Sequence, residues 1–262
     1  MFLKNVSRRI VKSVRVRPSY ANGIGPILSH FQARDDYDWG SYSQLNYYPS
    51  LTEFDTRFTS QLSEAARWSA TGGRVVVSGR PLHPRHQLIY ELAMKLDPVS
   101  IFECGFGGGD HLANLSLLLP SADILGADIS SDQLALATQR NSALLSRARL
   151  YVLDLTRPNS ITHLRSAAQF VYCQAVIQHI HGKERHLHFI RNMWSISTRY
   201  LFLVESWERH NFVADLHNLF PQQLIYRVGA GSSSGILIDK LNEMNYPTVR
   251  SDREIRRHKR IG

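Results

Sequence analysis

An open, parallel α/β sheet with helices on both faces is the fold this sequence predicts, and three observations predict it. From residue 99 onward, short apolar runs alternate with stretches of helical periodicity, as parallel strands joined by crossover helices do. A glycine-dense loop, Gly105 to Gly109, lies where the first of those runs gives way to a helix. The first three runs each finish in an acid, Glu103, Asp128 and Asp154, which brings three carboxylates to one edge of the sheet. That edge, at the carboxyl ends of the strands, is where open α/β sheets bind ligands.

The elements follow in order. Residues 18–50 are rich in Tyr, Ser, Gly, Asp and Pro with little periodicity, and read as an irregular arm or lid. Thr52 is placed to cap a helix, with Asp55 three residues on and Phe54, Phe58, Leu62 and Ala65 at helical spacing. Gly72-Gly73 breaks the chain before a short extended segment at 75–77. Pro84 opens a second helix with Leu88, Ile89, Leu92, Ala93 and Leu96 on its apolar face, and Asp97-Pro98 stops it. Strands are expected at 99–103, 123–128, 149–153, 169–173 and 200–205, with helices near 110–119, 131–146 and 182–195 and a less regular connection at 156–168. Segments 224–228 and 235–238 flank a Gly/Ser-rich turn and read as a hairpin. The expected sheet is Rossmann-like, of order 3-2-1-4-5, closed by that C-terminal hairpin with one antiparallel strand. The organisation is then a basic arm and helical cap or lid at 1–85, a ligand-binding sheet domain at 86–240 and a basic C-terminal tail at 241–262.

Composition narrows the classes. The 262 residues are 43% hydrophobic, enough for one packed α/β domain with an appendage, and no stretch approaches the ~18–20 apolar residues of a spanning helix. The net charge is +9, but residues 1–17 carry +6 of it (Lys4, Arg8, Arg9, Lys12, Arg15, Arg17) and residues 250–262 carry +4, leaving the body at −1. Basic ends on a near-neutral body do not describe a groove that tracks phosphates, so a nucleic-acid partner is not expected. Solvated tails are the plain reading. Contact with an anionic membrane surface is the alternative, since each cation there gains ~1 kcal/mol. Ile10, Val11 and Val14 are interrupted by charges and make no secretory h-region. The two cysteines, Cys104 and Cys173, are no disulfide framework, and both facts fit a reducing cytoplasm.

Two cofactor classes compete for the glycine loop. The dinucleotide fingerprint G-x-G-x-x-G, read from Gly105, requires a third glycine where Asp110 stands; read from Gly107, it meets Leu112. An acid in the first turn of the helix also repels a pyrophosphate and suits a cation instead. A nicotinamide cofactor is therefore disfavoured. What the loop does match is acid-x-Gly-x-Gly-x-Gly, in Glu103, Gly105, Gly107 and Gly109, with Asp128 ending the next strand 19 residues after Gly109. A carboxylate at that place can accept both hydroxyls of a ribose.

This constellation resembles motif I and its sequel in the class I methyltransferases that use S-adenosylmethionine (SAM). The resemblance covers roughly residues 85–205. It implies that Glu103 lies near the amino group of the cofactor and that Gly105, Gly107 and Gly109 pass under its methionine part. It further implies that Asp128 takes the ribose, that Asp154 reaches the adenine amino group, and that Leu155 lies beside the ring. Arg80 or Arg85 is a candidate partner for the SAM carboxylate, and Trp39 and the tyrosines within 46–48 (Tyr47, Tyr48) for covering an acceptor, although a core or lid role suits each as well.

After the fourth strand, Cys173-Gln174-Ala175-Val176-Ile177-Gln178-His179-Ile180-His181 stands where the family places motif IV, facing the transferred methyl, and Gln174 is counted with the cofactor-binding residues. The Asn/Asp-Pro-Pro-Tyr/Phe of base amino-methylases is absent, and neither cysteine follows a proline as in cytosine-C5 methylases. Transfer to an alcohol needs proton removal as the bond forms, and histidine is the usual base near neutral pH. His179 is the first candidate; the alternative is a histidine that only packs. Glu205, ending the fifth strand, is placed to orient His179 or His210 or to hold a substrate hydroxyl, and His210 is the second candidate base. A solvated helix start at 208–210 is the alternative there. His181, His186 and His188 match no zinc spacing, and no metal is expected.

Three runs, FECGFGGGDHLANL, VYCQAVIQHI and LVESWERHNF, are similar to those of bacterial methyltransferases acting on surface or signalling glycans. That resemblance implies O-methylation of a sugar hydroxyl, such as fucose of a lipo-chitooligosaccharide nodulation signal, in the cytoplasm or at the inner membrane face. N- or O-methylation of a small metabolite, and a SAM-fold scaffold without turnover, remain the alternatives.

Overall fold

The computed structural model describes residues 66–69, 74–77, 84–182, 184–205, 211–229, 234–251 and 254. The expected helix from Thr52, the lid at 18–50, Trp39, Tyr47, Tyr48, Arg80, His210 and most of both basic ends lie outside these residues.

The first described elements are two short strands, β1 (Ala66–Ser69) and β2 (Arg74–Val77), which pair antiparallel with each other. The second of them is the expected extended segment; its partner was not expected. Helix α1 (Pro84–Leu96) follows, opened by Pro84 and ended at Asp97, which has positive φ. Then come β3 (Ser100–Cys104), α2 (Asp110–Leu118), β4 (Asp123–Asp128), α3 (Ser131–Leu145), β5 (Arg149–Val152), β6 (Ala168–Gln174), α4 (Arg185–Ile196), β7 (Ser197–Val204), α5 (Phe212–Leu219), β8 (Ile225–Val228) and β9 (Gly235–Asp239). Single 3₁₀ turns stand at Thr162–Leu164 and Ile177–His179. Helix α5, with Phe212, Val213 and Leu216 buried, is an element the sequence reading did not place.

The seven-stranded sheet has the order β5-β4-β3-β6-β7-β9-β8. Its first five strands are parallel, in the expected order 3-2-1-4-5; β9 alone runs against its neighbours, pairing with β7 and β8. Period-two alternation divides the strand residues between two cores. Phe102, Cys104, Val171, Cys173, Leu201 and Leu203 face one way, towards α4 and α5. Ile101, Phe170, Tyr172, Phe202 and Val204 face the other, towards α1 and α2. With both faces covered, the central strands carry near-continuous apolar runs.

Residues 241–251, read from sequence as the start of a tail, belong to the domain. Arg227 N donates to Pro247 O, Val249 N donates to Ile225 O, and Val249 is buried. An outer strand such as β8 presents unpaired backbone groups, and this return segment covers them.

Candidate active site

The site is built on the carboxyl ends of β3, β4 and β6 and begins at Glu103. Its side chain lies on the α1/α2 face, buried beside the Tyr172 ring of the neighbouring strand, with which it is in register. Burial pushes its carboxyl well above the usual range, opposed by the Tyr172 hydroxyl and reinforced by Asp110 and Asp128. Among the described residues, one carboxylate oxygen, Oε2, has no hydrogen-bond partner. A buried, orphaned acceptor is costly to keep unless something outside the protein completes it.

The glycine loop has reasons of its own for its glycines. Gly105 (φ 78°) and Gly109 (φ 76°) adopt left-handed backbone that side chains resist. A Cβ on Gly105 would stand 2.5 Å from Val176 Cγ2, and one on Gly109 would stand 2.8 Å from Ala137 Cβ. The sequence reading assigned these glycines to ligand approach; at both positions the protein itself fills the space. Gly107 N donates to Asp128 Oδ2 at 2.9 Å, and Ser130 N to Asp128 Oδ1 at 2.9 Å, tying the loop to the end of β4. Burial raises the Asp128 carboxyl, and the amides of Ser130, Gly107 and Ile129 oppose that rise. Each oxygen retains acceptor capacity beyond these bonds.

Asp110, read as suited to a cation, takes one from within the chain. Arg140 Nη2 meets its Oδ1 at 2.8 Å, and the Arg140 side chain is fully buried. Beside it, Asn141 departs from helical geometry inside α3, and its amide donates to Gly108 O at 3.1 Å and to Asp110 Oδ1 at 3.4 Å. Neither residue was singled out from sequence. A polar Arg-Asn pair on a helix looks solvated in one dimension, and only the crossing of α3 over the loop gives it a task.

Asp154 follows β5 and turns back on its own loop, accepting from Thr156 N (2.9 Å), Thr156 Oγ1 (2.6 Å) and Arg157 Nε (3.1 Å). Leu155 is 4% exposed and packs into the core, so its side chain offers almost no surface at the edge. Ile129, directly after Asp128, is half exposed and supplies apolar surface there instead.

Past β6, Gln174 Oε1 meets His111 Nε2 at 3.2 Å. Ala175 takes positive φ, and the next three residues turn around Glu205. Glu205 is 1% exposed; its Oε1 accepts from Val176 N (2.9 Å), Ile177 N (3.2 Å) and Cys173 Sγ (3.3 Å), and its Oε2 from Gln178 N (3.3 Å). Consecutive amides converging on one carboxylate make an anion nest. Burial raises the Glu205 carboxyl, and those donors oppose the rise. Glu205 therefore holds the backbone of the turn that leads to His179. Gln178 Nε2 donates to Ala175 O (3.3 Å) and stands 3.1 Å from His179 Nε2. Since the amide nitrogen is a donor, His179 Nε2 accepts, and the ring carries its proton on Nδ1. The two thiols, Cys104 and Cys173, are free and buried on adjacent strands. His186, from the histidine run, meets Asp215 Oδ2 at 3.2 Å.

Glycine loop, acid-ended strands and a reversed last-but-one strand in the sheet order complete the comparison. The sheet order, with its one reversed strand, is the Rossmann-like order expected from the sequence. No protein-family model and no curated protein matches the chain. Among solved structures, the methyltransferase domain of a bacterial CtHen1 is similar over 60% of this chain and 97% of its own, at 13% identity and a TM-score of 0.47. A SAM-dependent methyltransferase from Aquifex aeolicus matches over 57% of this chain and 87% of its own, at 13% identity and a TM-score of 0.42. CalS10, an amino pentose methyltransferase from Micromonospora echinaspora solved with SAM bound, matches over 50% and 55%, at 19% identity and a TM-score of 0.41.

Proposed function

We propose that this protein is a SAM-dependent methyltransferase that O-methylates a sugar hydroxyl. One observation carries the cofactor reading: Glu103, buried with an orphaned oxygen, stands beside a glycine loop whose next strand ends in Asp128, also buried. An ammonium completes Glu103, and ribose hydroxyls use the remaining acceptor capacity of Asp128. The residues fit the group. Glu103, the backbone of 105–109 and Gln174 hold its amino-acid end, Asp128 its ribose, and Ile129 with the loop at Asp154 its adenine. When bound, SAM supplies an electrophilic methyl on a sulfonium.

The chain's own residues then position the acceptor and move a proton. Glu205 pins the 176–178 turn, and Val176 packs against Gly105, so the cofactor loop and the His179 turn are held as one piece. The acceptor hydroxyl replaces the Gln178 amide at His179 Nε2. His179 would take the proton of that hydroxyl at Nε2. His210 is the second candidate for that proton. The sugar assignment, fucose of a glycan or lipo-oligosaccharide first among the candidates, rests on the three sequence runs quoted above. The basic ends at 1–17 and 250–262 would favour contact with an anionic inner membrane face, where a lipid-linked acceptor would be met.

The test is calorimetric titration of the purified chain with SAM and, separately, with NADH, with Asp128→Ala as control. Micromolar SAM binding that the control loses supports the reading, and an acceptor screen for methyl transfer, begun with fucosylated glycans, follows. NADH binding or silence with SAM overturns it. SAM binding without transfer to any hydroxylated acceptor leaves a scaffold.

A further inference from the structure

Asn114, Tyr90, His111 and Gln174 form a line of hydrogen bonds of which the chemistry above uses only Gln174. Asn114 Nδ2 donates to Tyr90 Oη at 2.8 Å, Tyr90 Oη and His111 Nδ1 are 2.8 Å apart, and His111 Nε2 and Gln174 Oε1 are 3.2 Å apart. The line runs from α2 through α1 to the end of β6, and Tyr90 and Asn114 are buried in it. Its direction follows from the donors. Gln174 Oε1 can only accept, so His111 carries its proton on Nε2; its Nδ1 then accepts from the Tyr90 hydroxyl, which itself accepts from Asn114 Nδ2. The edge of the His86 ring packs on His111, with centroids 4.6 Å apart, and holds its plane.

The consequence lies at the far end. With Oε1 committed to His111, the Gln174 amide presents its N–H₂ away from the ring. Gln174 stands two residues beyond Tyr172 on one strand, hence on the same sheet face, and Tyr172 is in register with Glu103. The amide donor is thus one strand step above the Glu103 carboxylate, level with the opening of the glycine loop. An acid and an amide donor side by side suit a zwitterion, an ammonium at the one and a carboxylate at the other.

We infer that Asn114, Tyr90 and His111 are positioning residues that hold the Gln174 N–H₂ as the donor for the α-carboxylate of the cofactor's amino-acid end, opposite Glu103 at its α-ammonium. The inference rests on the SAM reading and goes beyond it by assigning a task to three residues in no direct contact with the cofactor.

The test uses two ligands that share a nucleoside and a thioether: S-adenosylhomocysteine, and 5′-methylthioadenosine, which lacks the amino-acid end. The full chain and its Tyr90→Phe, His111→Phe and Gln174→Glu variants are titrated with each. Tyr90→Phe and His111→Phe are expected to weaken S-adenosylhomocysteine about tenfold, the scale of one misplaced hydrogen bond to a charged group, and to leave methylthioadenosine within about twofold. Gln174→Glu keeps the acceptor that His111 needs and sets an anion where the donor was. It is expected to cost S-adenosylhomocysteine about 30-fold or more while sparing methylthioadenosine. Should the buried Tyr90→Phe fail to fold, Gln174→Glu at the partly exposed edge carries the test. Equal losses for both ligands, or none for S-adenosylhomocysteine, overturn the inference while the SAM reading stands. Wild-type protein that binds neither ligand overturns both.

Discussion

Glu205→Ala removes the acceptor on which three consecutive amides and a thiol converge. Each buried N–H left without a partner costs ~1–3 kcal/mol, and the bonds to a carboxylate are at the stronger end. The three share one acceptor and are not additive, and removing a buried carboxyl also relieves its desolvation. A net loss of about 3 kcal/mol is expected, which for a domain of this size is a fall in Tm of roughly 6–12 °C. Glu205→Gln keeps one oxygen for Val176 and Ile177 but turns an amide nitrogen towards Gln178 N, and should cost about 1–2 kcal/mol. Urea titrations of the three proteins, compared at equal m, measure these values. Since the same turn presses Val176 onto Gly105, SAM affinity should fall in the same order. An alanine variant within about 0.5 kcal/mol of wild type, or a glutamine variant less stable than the alanine, would refute the claim that this carboxylate holds the turn.

Other consequences are as direct. Burial raises the Glu103 carboxyl, so at pH values between its unfolded and folded pKa the folded chain holds a proton there that the unfolded chain has lost. That contribution to stability is full below the unfolded value, near pH 4.5, and is lost as pH rises towards the folded one; a bound ammonium reverses the preference. SAM binding should therefore release a proton, seen as a buffer-dependent binding enthalpy above pH 4.5 that Glu103→Gln abolishes. Arg140→Met leaves the Asp110 carboxylate without its cation and should cost ~3 kcal/mol by chemical denaturation; a neutral result would mean that the pair does not hold the loop. Gly105→Ala meets both a positive φ and Val176, so it should destabilise by ~2–4 kcal/mol, and Val176→Ala should recover only the steric part in a double-mutant cycle. His179→Ala should lower turnover by roughly 10²–10⁴ with cofactor affinity nearly unchanged; full activity would move the base to His210.

What the sequence determined by itself is whatever repeats along the chain at short range. Alternating apolar runs and helical periods place five parallel strands and the hairpin, and a glycine loop between an acid and a helix marks the binding edge, because each such signal is local. Tertiary structure decided which polar groups face one another. Glu205 looked like a group for substrate or histidine until β7, lying beside β6, put it under the 176–178 amides. Asp110 looked like a site for a ligand cation until α3 brought Arg140 to it. Leu155, placed beside a ring by resemblance, turned into the core, and Ile129 took the exposed place. Tyr90, His111 and Gln174 are separated by 21 and 63 residues, and no spacing announces their line. A strand's period fixes which face a side chain occupies, but the partner it finds there comes from another element, chosen by the packing of the whole sheet.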